Sequence, residues 1–361
     1  MSATGSFVQS CLGKLAARVG LRSVVFEVTQ RCNQDCVFCY NVWKRDGYPR
    51  AECDTSQALR ILDRTITTYR PAVITFSGGE PLMRPDICEL VQHATRRGAI
   101  CNLITNGTLL TDKLAVDLLE AGVRNFEFTL LSAEREVHNG MVRRDSFDTL
   151  IEAIASVSAA RGTVTTTFVA TKRNIHTWPD TLELNAALGV SAILFNRFNI
   201  GGAGVEGASD LTLSAIELRN ALAAADEGAG RYGISISCGT PVPPCVVDRT
   251  QYKRVHFTDC AVGTRRAYPT VDPAGNVRPC NHSPTILGNI LTTGLPAILR
   301  SDGASEYAAG HPKACRDCAS VKTCRGGCRA AAEVCGDPGG LDPFVDLCLN
   351  GKAAEPCGTC M

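Results

Sequence analysis

The chain has 361 residues, 45% hydrophobic and 20% charged, which is enough apolar material for a substantial core and excludes a disordered or fibrous protein. Its 37 Lys and Arg against 36 Asp and Glu leave a formal charge of +1, so nothing in the balance calls for nucleic acid or an anionic membrane surface. No stretch of 18 uncharged apolar residues offers a membrane span, and Met1–Leu12 lacks the basic-then-apolar pattern of a secretory signal, so a cytoplasmic protein is expected.

From Arg22 onward, β-rich runs alternate with helical ones. Ser23–Val28 reads as a buried strand and Ser56–Tyr69 as an amphipathic helix; Ala72–Phe76 is a strand and Asp86–Arg96 a helix. Ala99–Ile104 and Asp112–Glu120 form the next pair, followed by Asn125–Leu130 and Phe147–Ser158. Then come Thr163–Ala170 with Thr181–Leu188, and Ala192–Asn196 with Leu213–Ala224. Six strand–helix units in a row predict an α/β fold, a parallel sheet with helices outside, curled into a partial (β/α)6 TIM-like barrel. Strands end at polar or glycine-rich turns (Thr29, Ser77, Thr105, Ser132, Asn196), the edge where such sheets take ligands.

The 19 cysteines are an odd number and cannot all pair within the chain, so thiols that bind metal are the simplest reading. Only Cys11, Cys32, Cys36, Cys39, Cys53, Cys88 and Cys101 precede Cys238; the other 12 lie between Cys238 and Cys360. This shift divides the chain into an extension (1–21), a core (22–232) and a Cys-rich part (233–361). The last part is rich in Gly and Pro and is expected to need metal staples to fold.

Thr29–Tyr40 reads TQRCNQDCVFCY, with Cys32, Cys36 and Cys39 spaced C-x3-C-x2-C in the loop after the first strand. Zinc sites usually offer four protein ligands, whereas three thiolates suit a cubane iron–sulfur cluster with one open iron. Buried free thiols or an incomplete zinc knuckle are the plain alternatives. With Ser77–Pro81 (SGGEP), Thr105-Asn106-Gly107 and Thr129–Phe147 after the next three strands, the sequence resembles the radical S-adenosylmethionine (SAM) enzymes over most of its length. The resemblance implies that the triad holds a [4Fe–4S] cluster and that Tyr40 touches the adenine. It also implies that Gly78, Gly79 and Glu80 bind the methionyl amino group. Thr105, Asn106, Thr129 and Ser132 would line the ribose and carboxylate pocket, Arg143 or Arg144 would pair with the carboxylate, and Asn196 would lie near SAM.

The second constellation is Cys260, then Gly275 and Cys280, then Cys315-x2-Cys318-x5-Cys324-x3-Cys328, then Cys348. This pattern resembles the SPASM extension of radical SAM enzymes, with a zinc ribbon as runner-up. The resemblance implies two auxiliary clusters in a crossed arrangement: Cys260, Cys280 and Cys328 for the first, Cys315, Cys318, Cys324 and Cys348 for the second. Two saturated cubanes need one more ligand than these cysteines supply. Cys245 is the leading candidate, then Cys238; the other option is an open iron. Cys335, Cys357 and Cys360 stay unassigned, the last two in a tail expected to be frayed.

Gly202–Gly207 formally matches G-x-G-x-x-G after a strand, but the cysteines occupy the first strand–turn, so the loop is read as approaching SAM near Asn196 rather than a dinucleotide. His138, Trp43 and Trp178 are read as structural. The resemblance implies an oxidoreductase whose 5′-deoxyadenosyl radical takes hydrogen from a substrate carbon, with a ribosomally made peptide as the leading substrate. A small molecule such as a sugar, aminocyclitol or tetrapyrrole precursor is the second reading, and a non-catalytic metal-binding adaptor the third. In the sulfatase-maturing branch an Asp follows the cysteine equivalent to Cys280 and serves as base. Asn281 stands here, and an amide does not accept that proton, so no catalytic base is assigned. Residues 1–21 are too few for a peptide-recognition domain, so a separate carrier protein is an expected partner, along with an electron donor such as flavodoxin or ferredoxin.

Overall fold

The computed structural model describes residues 22–350 except 46 and 49. The first strand, β1 (Ser23–Thr29), is followed by α1 (Thr55–Tyr69), β2 (Val73–Gly78), α2 (Ile87–Arg96), β3 (Ile100–Thr105) and α3 (Asp112–Ala121). Next come β4 (Val123–Thr129), α4 (Arg135–Val142), α5 (Phe147–Ala159), β5 (Val164–Ala170), α6 (Trp178–Ala187) and β6 (Ala192–Arg197). All six predicted strand–helix units are present, and β1 to β6 lie side by side, all parallel. The helix expected over 213–224 is longer: α7 runs Ala215–Tyr232. Its Ala- and Gly-rich end reads locally as a turn, but Gly228 packs against Leu182 of α6, where a Cβ would come within 2.9 Å of the leucine side chain.

The Cys-rich part does not stand apart from this sheet. Its strands β7 (Ser235–Cys238) and β8 (Val255–Phe257) continue the parallel order beyond β6. At the other edge β9 (Thr270–Val271) pairs parallel to β1, and β10 (Asn276–Arg278) and β11 (Gly288–Asn289) follow antiparallel. The sheet therefore runs β11-β10-β9-β1-β2-β3-β4-β5-β6-β7-β8, open at β8 and β11. Strands of two to four residues carry too little alternation to be read from sequence.

Side chains alternate across every strand. Val24, Phe26, Val28, Ile74, Phe76, Leu103, Phe126, Phe128, Phe168 and Phe195 face the helices and form the main core with Ile61, Leu90, Leu118, Ile154, Leu182 and Leu222. Their strand neighbours Glu27, Thr75, Asn102, Glu127, Thr167 and Asn196 line the other face, which is polar. The Tyr40 hydroxyl lies in the field of Glu27 on β1 and of Glu127 on β4, on this side of the sheet.

Candidate active site

The cysteine loop leaves the C-terminal end of β1 and is held from several sides. Val37 N donates to Met141 O at 2.9 Å, Asp35 N to Val142 O at 3.3 Å, and Arg144 Nη1 to Asn33 O at 2.6 Å. Lys44 Nζ reaches Gln34 O at 3.3 Å. Burial raises all three thiols, Cys39 to about 11, and the thiols raise one another: Cys39 and Cys32 push Cys36 up, and Cys32 pushes Cys39 up. Thiols so arranged lose their protons together only to a centre that brings positive charge. Among the described residues no three His, Cys, Asp or Glu side chains close around a single metal ion. Three thiols on one loop suit a cluster that carries its own bridging sulfides and keeps one iron open.

The glycines of Gly78-Gly79 are required by the cysteine loop itself. Gly78 has φ +140, and a Cβ there would lie 2.2 Å from Thr29 O; at Gly79 it would lie 2.1 Å from Arg31 O and 3.0 Å from Cys32 Cβ. Gly79 N and Glu80 N donate to Thr29 O and Arg31 O, each at 2.8 Å. The Glu80 carboxylate is buried and turned toward β3. Oε1 accepts from Leu82 N (3.0 Å) and Thr105 Oγ1 (2.7 Å), and Oε2 from Asn106 N (2.7 Å). Burial outweighs these bonds and raises the carboxyl to about 6. Asn106 Nδ2 in turn donates to Asn33 Oδ1 in the cysteine loop at 2.8 Å.

The other candidates divide. Thr129 ends β4 partly exposed, in register with Thr167 of β5. Ser132 is buried and its Oγ accepts from Glu134 N at 2.8 Å. Asn196 Oδ1 accepts from Gly239 N (2.8 Å) and Thr240 N (3.0 Å), tying β6 to the turn after β7. Arg143 is 61% exposed and pairs with Asp35 at 3.2 Å, so here it clamps the cysteine loop. The loop over 201–204, expected beside Asn196, packs instead on the backbone of Cys39–Asn41: Gly204 N donates to Cys39 O at 3.2 Å, and a Cβ on Gly202 would lie 2.5 Å from the same oxygen.

Tyr40 joins the two cysteine regions. Its hydroxyl accepts from Asn281 Nδ2 at 2.8 Å, and its ring stacks on His282 with centroids 3.9 Å apart. Burial lowers His282 to about 3, so its neutral Nδ1 can accept the Asn199 amide at 2.6 Å. Asn199 and His282 carried no signal in the sequence beyond His282 lying two residues after Cys280.

Cys260, Cys280 and Cys328, far apart in sequence, border one apolar cluster with Val262, Tyr307 and Ala331. Burial, then Cys260, pushes Cys280 up to about 12. Cys328 N donates to Asp342 Oδ2 at 2.7 Å, and the same carboxylate forms a buried ion pair with Arg197 at the end of β6, which fixes this cluster to the barrel. Cys245 stands with the other set: Cys315 and Cys318 push its thiol up, and it does the same to Cys324 and Cys348. The expected eighth ligand thus lies beside the group that already has four cysteines, and Cys238 is buried in the main core. Cys335 packs with Cys36 against the apolar cluster around Phe38. Cys11, Cys357, Cys360 and the extension 1–21 lie outside the described residues.

On the polar face, Glu27 forms a buried ion pair with Arg278, two residues before Cys280. Arg278 also donates through Nη1 to Ser283 O at 3.0 Å and lies 5.9 Å over the Trp43 ring. Burial raises Glu27 to about 7 despite this partner.

A family model of the radical SAM superfamily matches residues 26–184, and one of the SPASM iron–sulfur cluster-binding domain matches residues 260–319. A PqqA peptide cyclase of Streptomyces rochei is 30% identical over 335 residues, 90% of this chain and 89% of that protein. An AdoMet-dependent heme synthase of Methanosarcina barkeri is 28% identical over 292 residues, 74% of this chain and 79% of that protein. The crystal structure of Streptococcus suis SuiB bound to S-adenosylmethionine superposes with a TM-score of 0.69 at 16% identity, covering 89% of this chain and 76% of that one.

Proposed function

The chain belongs to the radical SAM superfamily and carries a SPASM domain, and from that premise we propose that it modifies a ribosomally made peptide, with the site residues assigned as follows. It is a radical SAM enzyme whose cofactors are [4Fe–4S] clusters and S-adenosylmethionine. When bound and reduced, these supply a 5′-deoxyadenosyl radical able to take hydrogen from an unactivated carbon.

Cys32, Cys36 and Cys39 hold the cluster that receives SAM. Gly78, Gly79 and Glu80 present backbone to its amino group, Thr105, Asn106, Thr129 and Ser132 line its pocket, and Tyr40 lies against its adenine. Arg143 reaches its carboxylate only by exchanging Asp35, and Asn196 shapes the far wall. Cys260, Cys280 and Cys328 hold the first auxiliary cluster, and Cys315, Cys318, Cys324 and Cys348 the second, with Cys245 beside it.

The observation that carries this reading is the Tyr40–Asn281–His282 contact, which joins the loop of Cys32, Cys36 and Cys39 to the loop after Cys280. Peptide as substrate rests on the likeness to the PqqA peptide cyclase. The heme synthase likeness keeps a small tetrapyrrole as the second reading. No helix among the described residues is long and apolar enough to cross a membrane; we place the enzyme in the cytoplasm, with flavodoxin or ferredoxin as electron donor and a separate peptide carrier as partner.

Anaerobic reconstitution tests the chemistry. The wild type should bind roughly twelve irons and form 5′-deoxyadenosine under strong reduction. Replacing Cys32, Cys36 and Cys39 together by Ala should remove about four irons and all SAM cleavage. Incubation with candidate precursor peptides should give a mass change in a peptide that is a substrate. If every peptide is unaltered while a porphyrin precursor is consumed, the small-molecule reading replaces this one.

A further inference from the structure

Three segments meet around Tyr40, and each pair of them is joined by its own contact. The first is the end of the cysteine loop, residues 39–41; the second is the turn after β6, residues 199–204; the third is the turn after Cys280, residues 281–283. Gly204 N donates to Cys39 O at 3.2 Å, and a Cβ on Gly202 would lie 2.6 Å from the Tyr40 carbonyl carbon, so the second segment presses on the backbone of the first. Asn199, 5% exposed, reaches His282 Nδ1 through Nδ2 at 2.6 Å, which joins the second to the third. The His282 ring stacks on Tyr40 with centroids 3.9 Å apart and planes inclined by 23°, and Asn281 Nδ2 donates to the Tyr40 hydroxyl at 2.8 Å, which joins the third to the first.

The hold on Tyr40 is therefore divided. Its backbone is fixed without His282, by the turn after β6 on one side and by Asn41 Nδ2 donating to Gly78 O at 3.2 Å on the other. Its ring and hydroxyl are held from the turn after Cys280. The last torsion of an aromatic side chain has a broad well, so the plane of the ring is set by what it packs on. For Tyr40 that surface is the His282 ring, and the Asn199 amide fixes the His282 ring in turn.

We propose that His282 is a positioning residue for SAM, holding the Tyr40 ring in the orientation that it offers to the adenine. This inference rests on the reading that Tyr40 lies against the adenine. The role is carried by the flat ring rather than by a proton: an aromatic side chain at 282 keeps it, and a polar chain of similar reach does not. Because His282 acts through Tyr40, it bears on the adenine end of the ligand and leaves the methionyl end to the residues around Glu80.

The test titrates anaerobically reconstituted holoenzyme, kept oxidised so that no SAM is cleaved, with SAM and separately with methionine, which lacks the adenine; the readout is the spectral change of the cluster. His282→Asn keeps a polar partner for Asn199 and removes the stack, whereas His282→Phe keeps the stack and removes the partner. His282→Asn should bind SAM about three- to tenfold more weakly, with the iron content and methionine affinity of the wild type. His282→Phe should stay within about twofold of the wild type for SAM. Tyr40→Leu should weaken SAM binding as well, and adding His282→Asn to it should cost nothing more. Wild-type SAM affinity in His282→Asn, equal losses in the Asn and Phe variants, a parallel loss of methionine affinity or of iron, or additive losses in the double variant overturns the positioning role. Undiminished SAM affinity in Tyr40→Leu overturns the adenine reading itself, a result distinct from the others.

Discussion

The G-x-G-x-x-G segment offers a direct test of what its glycines are for. Gly202 has φ +49, and a Cβ there would lie 2.5 Å from Cys39 O, 2.6 Å from Asn41 O and 2.6 Å from the Tyr40 carbonyl carbon. All three are backbone atoms, so no rotamer change relieves the overlap. Gly202→Ala therefore incurs about 1–2 kcal/mol for a left-handed non-glycine residue. A further cost of about 1–3 kcal/mol follows from backbone displacement in a packed region. The displaced backbone is that of Cys39 and Tyr40, so the damage falls on the SAM-cluster loop. Gly207, the last glycine of the same segment, has φ −100, and a Cβ there makes ordinary contact with Leu211 at 3.4 Å. Gly207→Ala should change stability by less than about 0.5 kcal/mol. The assay is iron per chain after anaerobic reconstitution, the spectral change on adding SAM, and chemical unfolding. Gly202→Ala should lose about four irons and the SAM-dependent spectral change, while Gly207→Ala keeps both. Wild-type iron and spectrum in Gly202→Ala, or equal loss at both positions as a dinucleotide loop would demand, refutes the reasoning.

Three further outcomes are expected. Arg278→Met leaves Glu27 buried without its guanidinium and should lower unfolding free energy by about 3–5 kcal/mol; adding Glu27→Gln should restore part of it, and strict additivity of the two changes argues against the pair. Burial raises the Glu80 carboxyl from 4.5 to about 6, a shift worth about 2 kcal/mol. This contribution favours the folded state fully below pH 4.5 and is lost as pH rises through 6, so denaturant titrations should show that loss in the wild type and a flatter profile in Glu80→Gln. Cys245→Ser should leave iron content unchanged, because its neighbours already number four cysteines, whereas Cys260→Ser should lower it; iron lost from Cys245→Ser would make Cys245 a ligand.

The site was legible where its signals are local. The C-x3-C-x2-C triad, the SGGEP turn and Thr105-Asn106 each follow a strand whose alternation is strong enough to mark its end, and the structure has all three at the C-terminal edge of the sheet. Arg143 was legible as a cation near the site but not in its partner, since its pairing with Asp35 depends on how α4 docks against the cysteine loop. Cys245 was named because seven cysteines fall one short of two saturated cubanes, and a ligand count carries no information about which of two cysteine sets a loop folds toward.

The chain's amino-acid order thus determines the α/β class, the six repeating units and the three thiols after the first strand, because helix and strand periodicities and ligand spacings act over a few residues. Tertiary structure alone decided that short strands of the Cys-rich part extend the sheet at both edges, that Tyr40 meets Asn281 and His282, and that Glu27 pairs with Arg278. Those contacts join residues up to 251 positions apart. They form only where the packed core and the sheet register bring them together, and no local preference encodes either.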